Sequence, residues 1–374
     1  MDNRNEKLAH NLIYNSISLE KNENILIEVI GDDGLELANE ILKQSKIIKA
    51  KPKLNIINYK DLSNFLITAT KEDIIEYGRK DYERMKKMQA YIGISAPTSD
   101  KILEGVSQEK LELYNKHYTA LVHLEQRVKH TKWCILRYPN EYFARKCNMT
   151  LNEFKDFYYN VCNVDYNKMK NVMEPLKDLM DRTDKIHILA PETDLEFSIK
   201  GIPAKKYYGT YNIPDGEVAT CPVKNSVNGY ITYNTKTKYN DIIFENIRFE
   251  FVDGKIIKAT AKEKTKELNE ILDTDDGARY IGEFAFGLNP YVNNTMCDTL
   301  FDEKINGSFH LTPGMALEES DNGNRSAIHW DIVKILRKEF GGGEIYFDNV
   351  LIMKDGKFVL EELKGLNAEN LKNN

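Results

Sequence analysis

Cysteine is scarce and scattered. Cys134, Cys147, Cys162, Cys221 and Cys297 are odd in number and share no close spacing. That pattern argues against a disulfide framework and a thiolate metal site, and it suits a reducing cytoplasm, with each thiol acting as a small buried hydrophobe. Apolar runs of ~18 residues are also lacking, so no segment is expected to span a membrane. The opening, MDNRNEKLAHNLIYNSISL, has no apolar core segment, and no secretory leader is expected there. An excess of positive charge is absent: 52 Lys and Arg against 58 Asp and Glu leave a net charge of −6. The densest basic tract, KQSKIIKAKPK, is interrupted by apolar residues and reads as a solvated helix end and turn. Nucleic acid is therefore not an expected partner. The G-x-G-x-x-G fingerprint is missing too. The GDDG turn after the first strand-like run carries two acids that would repel phosphate, which argues against a nucleotide role for the first half.

What is present is an ordinary globular composition, 41% hydrophobic over 374 residues, enough for two or three domains with sizeable cores. The first half alternates. Residues 4–20 read as helical. NILIEVI at 24–30 is a continuous apolar strand, followed by a turn and an amphipathic helix. KLNIIN, MQAYIGISA and KWCILRYP are further strands, each separated by charged helical stretches. Buried strands alternating with helices predict a doubly wound α/β domain over residues 1–183. Thr150 and Glu153 form the pattern of a capping box. After residue 183 the pattern changes. Strand-like segments flank Asp253-Gly254 and Asp355-Gly356, both strong hairpin turns. Residues 184–374 are expected to form an α+β domain with antiparallel sheet.

Only seven histidines occur, and SAIHWDIV places one of them two residues before an aspartate. If that stretch is a strand, His329 and Asp331 share one face, and Trp330 and Ile332 the other. His310 lies in GSFHLTPGMA, Glu283 in IGEFAFGLNP and Glu217 in NIPDGEVATCP, the two glutamates each just after a glycine. Glycine lets the backbone approach a site closely. Two imidazoles and three carboxylates make a nitrogen and oxygen donor set of the kind that divalent zinc, cobalt, manganese or iron accept. Each residue alone has a plainer reading: a satisfied, partly buried histidine, or a loop-capping glutamate.

Four motifs favour the metal reading. NIPDGEVATCP, GEFAFGLNP, LFDEKINGSFHLTPG and SAIHWD follow one another over about 115 residues, and together the second half resembles the aminopeptidase T family of dinuclear metallopeptidases. The resemblance implies two divalent ions, zinc, cobalt or manganese, held by Glu217, Glu283, His310, His329 and Asp331. Glu283 would bridge the ions, with Asp331 the next choice, and Glu217 and Glu283 would be the catalytic carboxylates. It further implies an enzyme that releases N-terminal residues from small peptides through a bridging water, acting in the cytoplasm as a homodimer. The sequence departs from the family at two places. Leu317 stands where the family has a tyrosine seven residues after the motif histidine, and Lys304 stands at the position of an asparagine. Tyr291 and Tyr346 are the candidates to replace the missing phenol.

Two rival readings come from the same residues. His310, His329 and Asp331 could be the facial triad of a mononuclear non-haem iron dioxygenase, in which Glu217 and Glu283 would be superfluous. Alternatively, the loss of the tyrosine could mark an inactive metal-binding relative.

Overall fold

The computed structural model describes residues 2–31, 33–99, 101–240 and 242–372. Asp32, part of the GDDG turn, lies outside them. The chain forms two compact units. Residues 1–163, joined by Gly209–Ile213, form the first, and Val164–Tyr208 with residues 214–374 form the second.

The first unit is built on a parallel sheet in the order Lys51–Ile57, Asn24–Ile30, Ala90–Ser95, Lys132–Arg137 and Asn212–Ile213. The α/β expectation is met, and the reason for the unbroken apolar run at 24–30 is visible. Ile25, Leu26, Ile27 and Val29 are all buried, because both faces of a central parallel strand are covered. Lys51–Ile57 is an edge strand that tolerates Pro52 and leaves Leu54 and Ile56 exposed. Capping boxes open the helices Lys71–Met85 and Leu151–Cys162, the second at Thr150 and Glu153.

The second unit begins twenty residues before the expected division after residue 183. The helices Tyr166–Val172 and Glu174–Arg182 belong to it because they bury Met169, Leu176 and Met180 there. The longer of the two packs on the strands Lys205–Tyr207 and Glu217–Thr220. Two antiparallel sheets form the body of this unit. Eight strands run in the order Lys255–Thr260, Arg248–Val252, Asn228–Thr232, Thr193–Ser198, Lys185–Ala190, Glu344–Phe347, Val350–Lys354 and Lys357–Phe358. Both expected hairpins occur in it. Asp253, Gly254, Asp355 and Gly356 all take positive φ, as tight two-residue turns require.

The other sheet has five strands, in the order Ile332–Ile335, Ser308–Pro313, Ile281–Gly287, Glu217–Thr220 and Lys205–Tyr207. Side chains alternate along each strand, so this sheet has two distinct faces. Phe284 and Phe286 point to one of them and meet Phe197, Phe347 and Phe358 of the eight-stranded sheet, with ring centroids 5.1–6.1 Å apart. That aromatic layer is the core between the sheets. Glu283, on the same strand, points the other way. No helix among the described residues is long and apolar enough to cross a membrane.

Candidate metal centre

Strand register gathers the candidate ligands on the second face of the five-stranded sheet. Glu217 pairs with Gly287, Ala285 with His310, and Glu283 with Thr312. Directly paired residues share a face, so Glu217, Glu283 and His310 project together. His310 in turn pairs with Val333, two residues beyond Asp331.

The SAIHWDIV stretch differs from the expected strand. The ladder starts only at Ile332, and before it His329 makes an isolated bridge with Gly314. Trp330 anchors the stretch: its indole N–H donates to Thr237 at 3.0 Å, and its ring packs on Tyr239 and Phe244. His329 and Asp331 still face the same way, with Nε2 and Oδ1 3.4 Å apart.

The donor atoms fall into two groups. Glu217, Glu283 and His310 bring one ligand atom each within 4.8 Å of one another, and so do Glu283, His329 and Asp331. Glu283 belongs to both, with one oxygen toward each histidine: Oε1 is 3.4 Å from His310 Nε2, and Oε2 is 3.2 Å from His329 Nε2. His310, His329 and Asp331 do not form a group of their own, so the mononuclear iron reading finds no support, and nothing supports an inactive relative.

The surroundings orient the donors. His329 Nδ1–H donates to the carbonyl of Met315 at 2.9 Å, which leaves Nε2 free to face the carboxylates. Thr312 Oγ1 donates to Asp331 Oδ1 at 2.6 Å. Glu217 Oε2 is buried without a hydrogen-bond partner, and it lies 3.8 Å from His310 Nε2. An orphaned buried carboxylate oxygen is costly unless a cation takes it. The donor set and this orphaned atom both fit divalent ions. His329 is 36% exposed while Glu217, Glu283 and His310 are buried, so the centre opens to solvent on the His329 side.

Proton affinities reflect the crowding. Burial pushes Glu217 up, to about 7, against the pull of Lys304 and His310. Burial also works against charge on Glu283, but hydrogen bonds from His310 and His329 outweigh it and hold its carboxyl below the usual value. Burial lowers His310 and His329, yet Glu283 acting on the first and Asp331 and Glu283 on the second lift them to about 9 and about 12.

Lys304 proves more than a variation on a motif. Its side chain is fully buried, with Nζ 2.6 Å from Glu217 Oε1, 2.9 Å from Glu303 and 3.3 Å from Asp215. It holds one oxygen of Glu217 and leaves the other facing His310. Of the phenols expected to replace the missing one, Tyr346 lies on the eight-stranded sheet and donates to Glu344 at 2.6 Å. Tyr291 follows the Ile281–Gly287 strand and lies under the Lys372 ammonium. The residue missed from sequence is Tyr207, which pairs directly with Glu217. KKYYGT has no apolar alternation to mark a strand, so no local signal singled it out.

The model of the thermophilic metalloprotease family (M29) matches residues 1–358. Aminopeptidase PepS of Streptococcus thermophilus is 25% identical over 384 residues, covering 88% of this chain and 91% of that protein. Aminopeptidase 2 of Geobacillus stearothermophilus is 33% identical over 166 residues, a segment that spans 37% of its length and 39% of this chain. Wild-type AmpT from Thermus thermophilus superposes with a TM-score of 0.77 over 96% of this chain and 99% of that one, at 20% identity, which shows a shared fold.

Proposed function

The chain belongs to the M29 family of metalloproteases, and on that premise we propose that it is an aminopeptidase that releases N-terminal residues from small peptides at a centre for two divalent ions. The observation that carries this reading is Glu283, a buried carboxylate shared by two groups of donor atoms. Glu217 and His310 would complete one ion's set, and His329 and Asp331 the other's. Two such ions, zinc, cobalt or manganese, would supply a bridging water of lowered pKa, polarise the scissile carbonyl and seat the peptide's free α-amine.

The chain's own residues have separable duties. Glu283 keeps the two donor groups together. Met315, through its carbonyl, and Thr312, through its hydroxyl, fix the orientation of His329 and Asp331. Lys304 neutralises part of the buried negative charge and turns Glu217 so that a single oxygen faces the centre. The exposed edge of His329 marks where substrate enters. The odd number and wide scatter of the cysteines suit a cytoplasmic location, and a homodimer is the assembly we infer from the family resemblance, to be checked by light scattering.

The decisive assay uses aminoacyl-anilides and short peptides. Cobalt- or zinc-loaded protein should cleave them, lose activity to a chelator and regain it when metal is restored. N-acetylation of the same peptides should abolish cleavage. Equal cleavage of acetylated peptides, or cleavage after chelation, would contradict the reading.

A further inference from the structure

Tyr207 stands at the edge of the ligand face. Its pairing with Glu217 puts both side chains on the same side of the sheet. From there the phenol reaches Glu319, with Oη 3.3 Å from Oε2. Glu319 lies in the turn Glu318–Ser320, directly after Leu317. This segment borders the other donor group: the amide of Leu317 donates to the carbonyl of Gly282, the residue before Glu283, and the carbonyl of Met315 accepts from His329. Tyr207 therefore starts beside Glu217, and its hydroxyl ends at Glu319, in the segment whose Leu317 amide meets Gly282 and whose Met315 carbonyl meets His329. Its hydroxyl arrives at the segment that carries position 317, where leucine offers no polar atom.

Among the described residues, Tyr291 and Tyr346 do not lie on the strands of this face. A peptide held at the centre would have its scissile carbonyl above Glu217, Glu283 and His310, on the face of the sheet that Tyr207 shares.

We propose that Tyr207 is a catalytic residue that donates a hydrogen bond to the scissile carbonyl oxygen as that oxygen becomes negative. The O–H that Tyr207 gives to Glu319 in the empty site turns from that carboxylate to the substrate oxygen and stays intact throughout; the phenol stabilises charge and transfers no proton. The proposal rests on the aminopeptidase reading given above.

Tyr207→Phe removes the hydroxyl alone. The variant should melt at the temperature of the unmodified protein and bind the same number of metal ions. Its kcat should fall by roughly 10²–10³, the usual effect of deleting one oxyanion donor, with KM little changed. Calorimetry supplies a readout independent of turnover. Affinity for a tetrahedral α-aminophosphonate analogue of a dipeptide should fall with kcat, while affinity for the free product amino acid should not. Adding Leu317→Tyr to Tyr207→Phe should restore part of both losses. Unchanged kcat and phosphonate affinity in Tyr207→Phe would overturn the proposal, as would equal weakening of phosphonate and amino acid, which marks a structural role. If the metal-loaded unmodified protein cleaves no peptide, the aminopeptidase reading fails first and this proposal falls with it. If it cleaves peptides and Tyr207→Phe is unimpaired, only the proposal falls.

Discussion

Glu283 carries the site at the scale of single residues, because it alone belongs to both donor groups. Glu283→Gln should leave the fold intact and cost at least one of the two ions, since an amide cannot bridge two cations as a carboxylate does. Peptide hydrolysis should be lost with it. Metal analysis after gel filtration reads this directly, and full occupancy with full turnover would move the bridge to Asp331. The histidines give a pH prediction. His310 and His329, at about 9 and about 12, are protonated in the metal-free centre at neutral pH. Metal must displace those protons, so zinc binding near pH 7 should release them and apparent affinity should rise with pH. Above pH 9 the release should drop by about one proton, because His310 is then already neutral. Calorimetry in buffers of different ionisation enthalpy counts them, and no release at pH 7 would contradict the assignment. The linkage to stability in the metal-free protein has the same origin. Raised histidine values stabilise the fold fully below the unfolded value of 6.5, and that contribution fades as pH climbs through about 9. Lys304 gives a third test. Lys304→Met leaves the buried Asp215 and Glu217 and the partly buried Glu303 without their cation, and should destabilise the metal-free protein by about 3–5 kcal/mol in urea unfolding. The loss should be smaller with zinc bound, because the ion replaces part of the missing charge.

At the scale of elements, the site is a consequence of strand register. Five short strands pair so that every second residue faces the ligands, and the opposite face supplies Phe284 and Phe286 to the core. Gly282 sits where the register shifts beside Glu283, and a Cβ there would meet the carbonyl oxygens of Met315 at 2.2 Å and Gly314 at 2.5 Å. Gly282→Ala should therefore push away the segment that orients His329. Weaker metal binding together with a lowered melting temperature is the expected result, and unchanged values for both would show that the segment yields without consequence. Much of this was legible in the sequence, for identifiable reasons. The run at 24–30 is apolar because its strand is central, and Asp253-Gly254 and Asp355-Gly356 turn because both residues of each pair accept positive φ. The five candidate ligands do come together, in motifs whose spacing follows the strands. SAIHWDIV misled in part: its apolar alternation looked like one continuous strand, but Trp330 is buried against Tyr239 and Phe244, and the ladder begins only at Ile332. Tyr207 was illegible because its significance comes from a three-residue edge pairing with Glu217, and no local periodicity encodes a partner strand. Lys304 looked like an exchanged motif residue, and only three-dimensional packing shows the acids around it.

At the scale of the molecule, the chain divides its labour unevenly. The first unit is a parallel sheet with helices, and the second holds all five candidate ligands, Lys304 and Tyr207. The order of strand-like and helical segments foretold both classes of architecture, while the helices from Tyr166 to Arg182 joined the second unit because Met169, Leu176 and Met180 are buried there. Everything proposed about catalysis depends on two ions sharing Glu283. The most direct test is anomalous diffraction from cobalt-loaded crystals. Two peaks about 3.5–4 Å apart, each within bonding distance of a Glu283 oxygen, are the predicted result. A single peak held by His329 and Asp331, with Glu217 and His310 left unliganded, would contradict it.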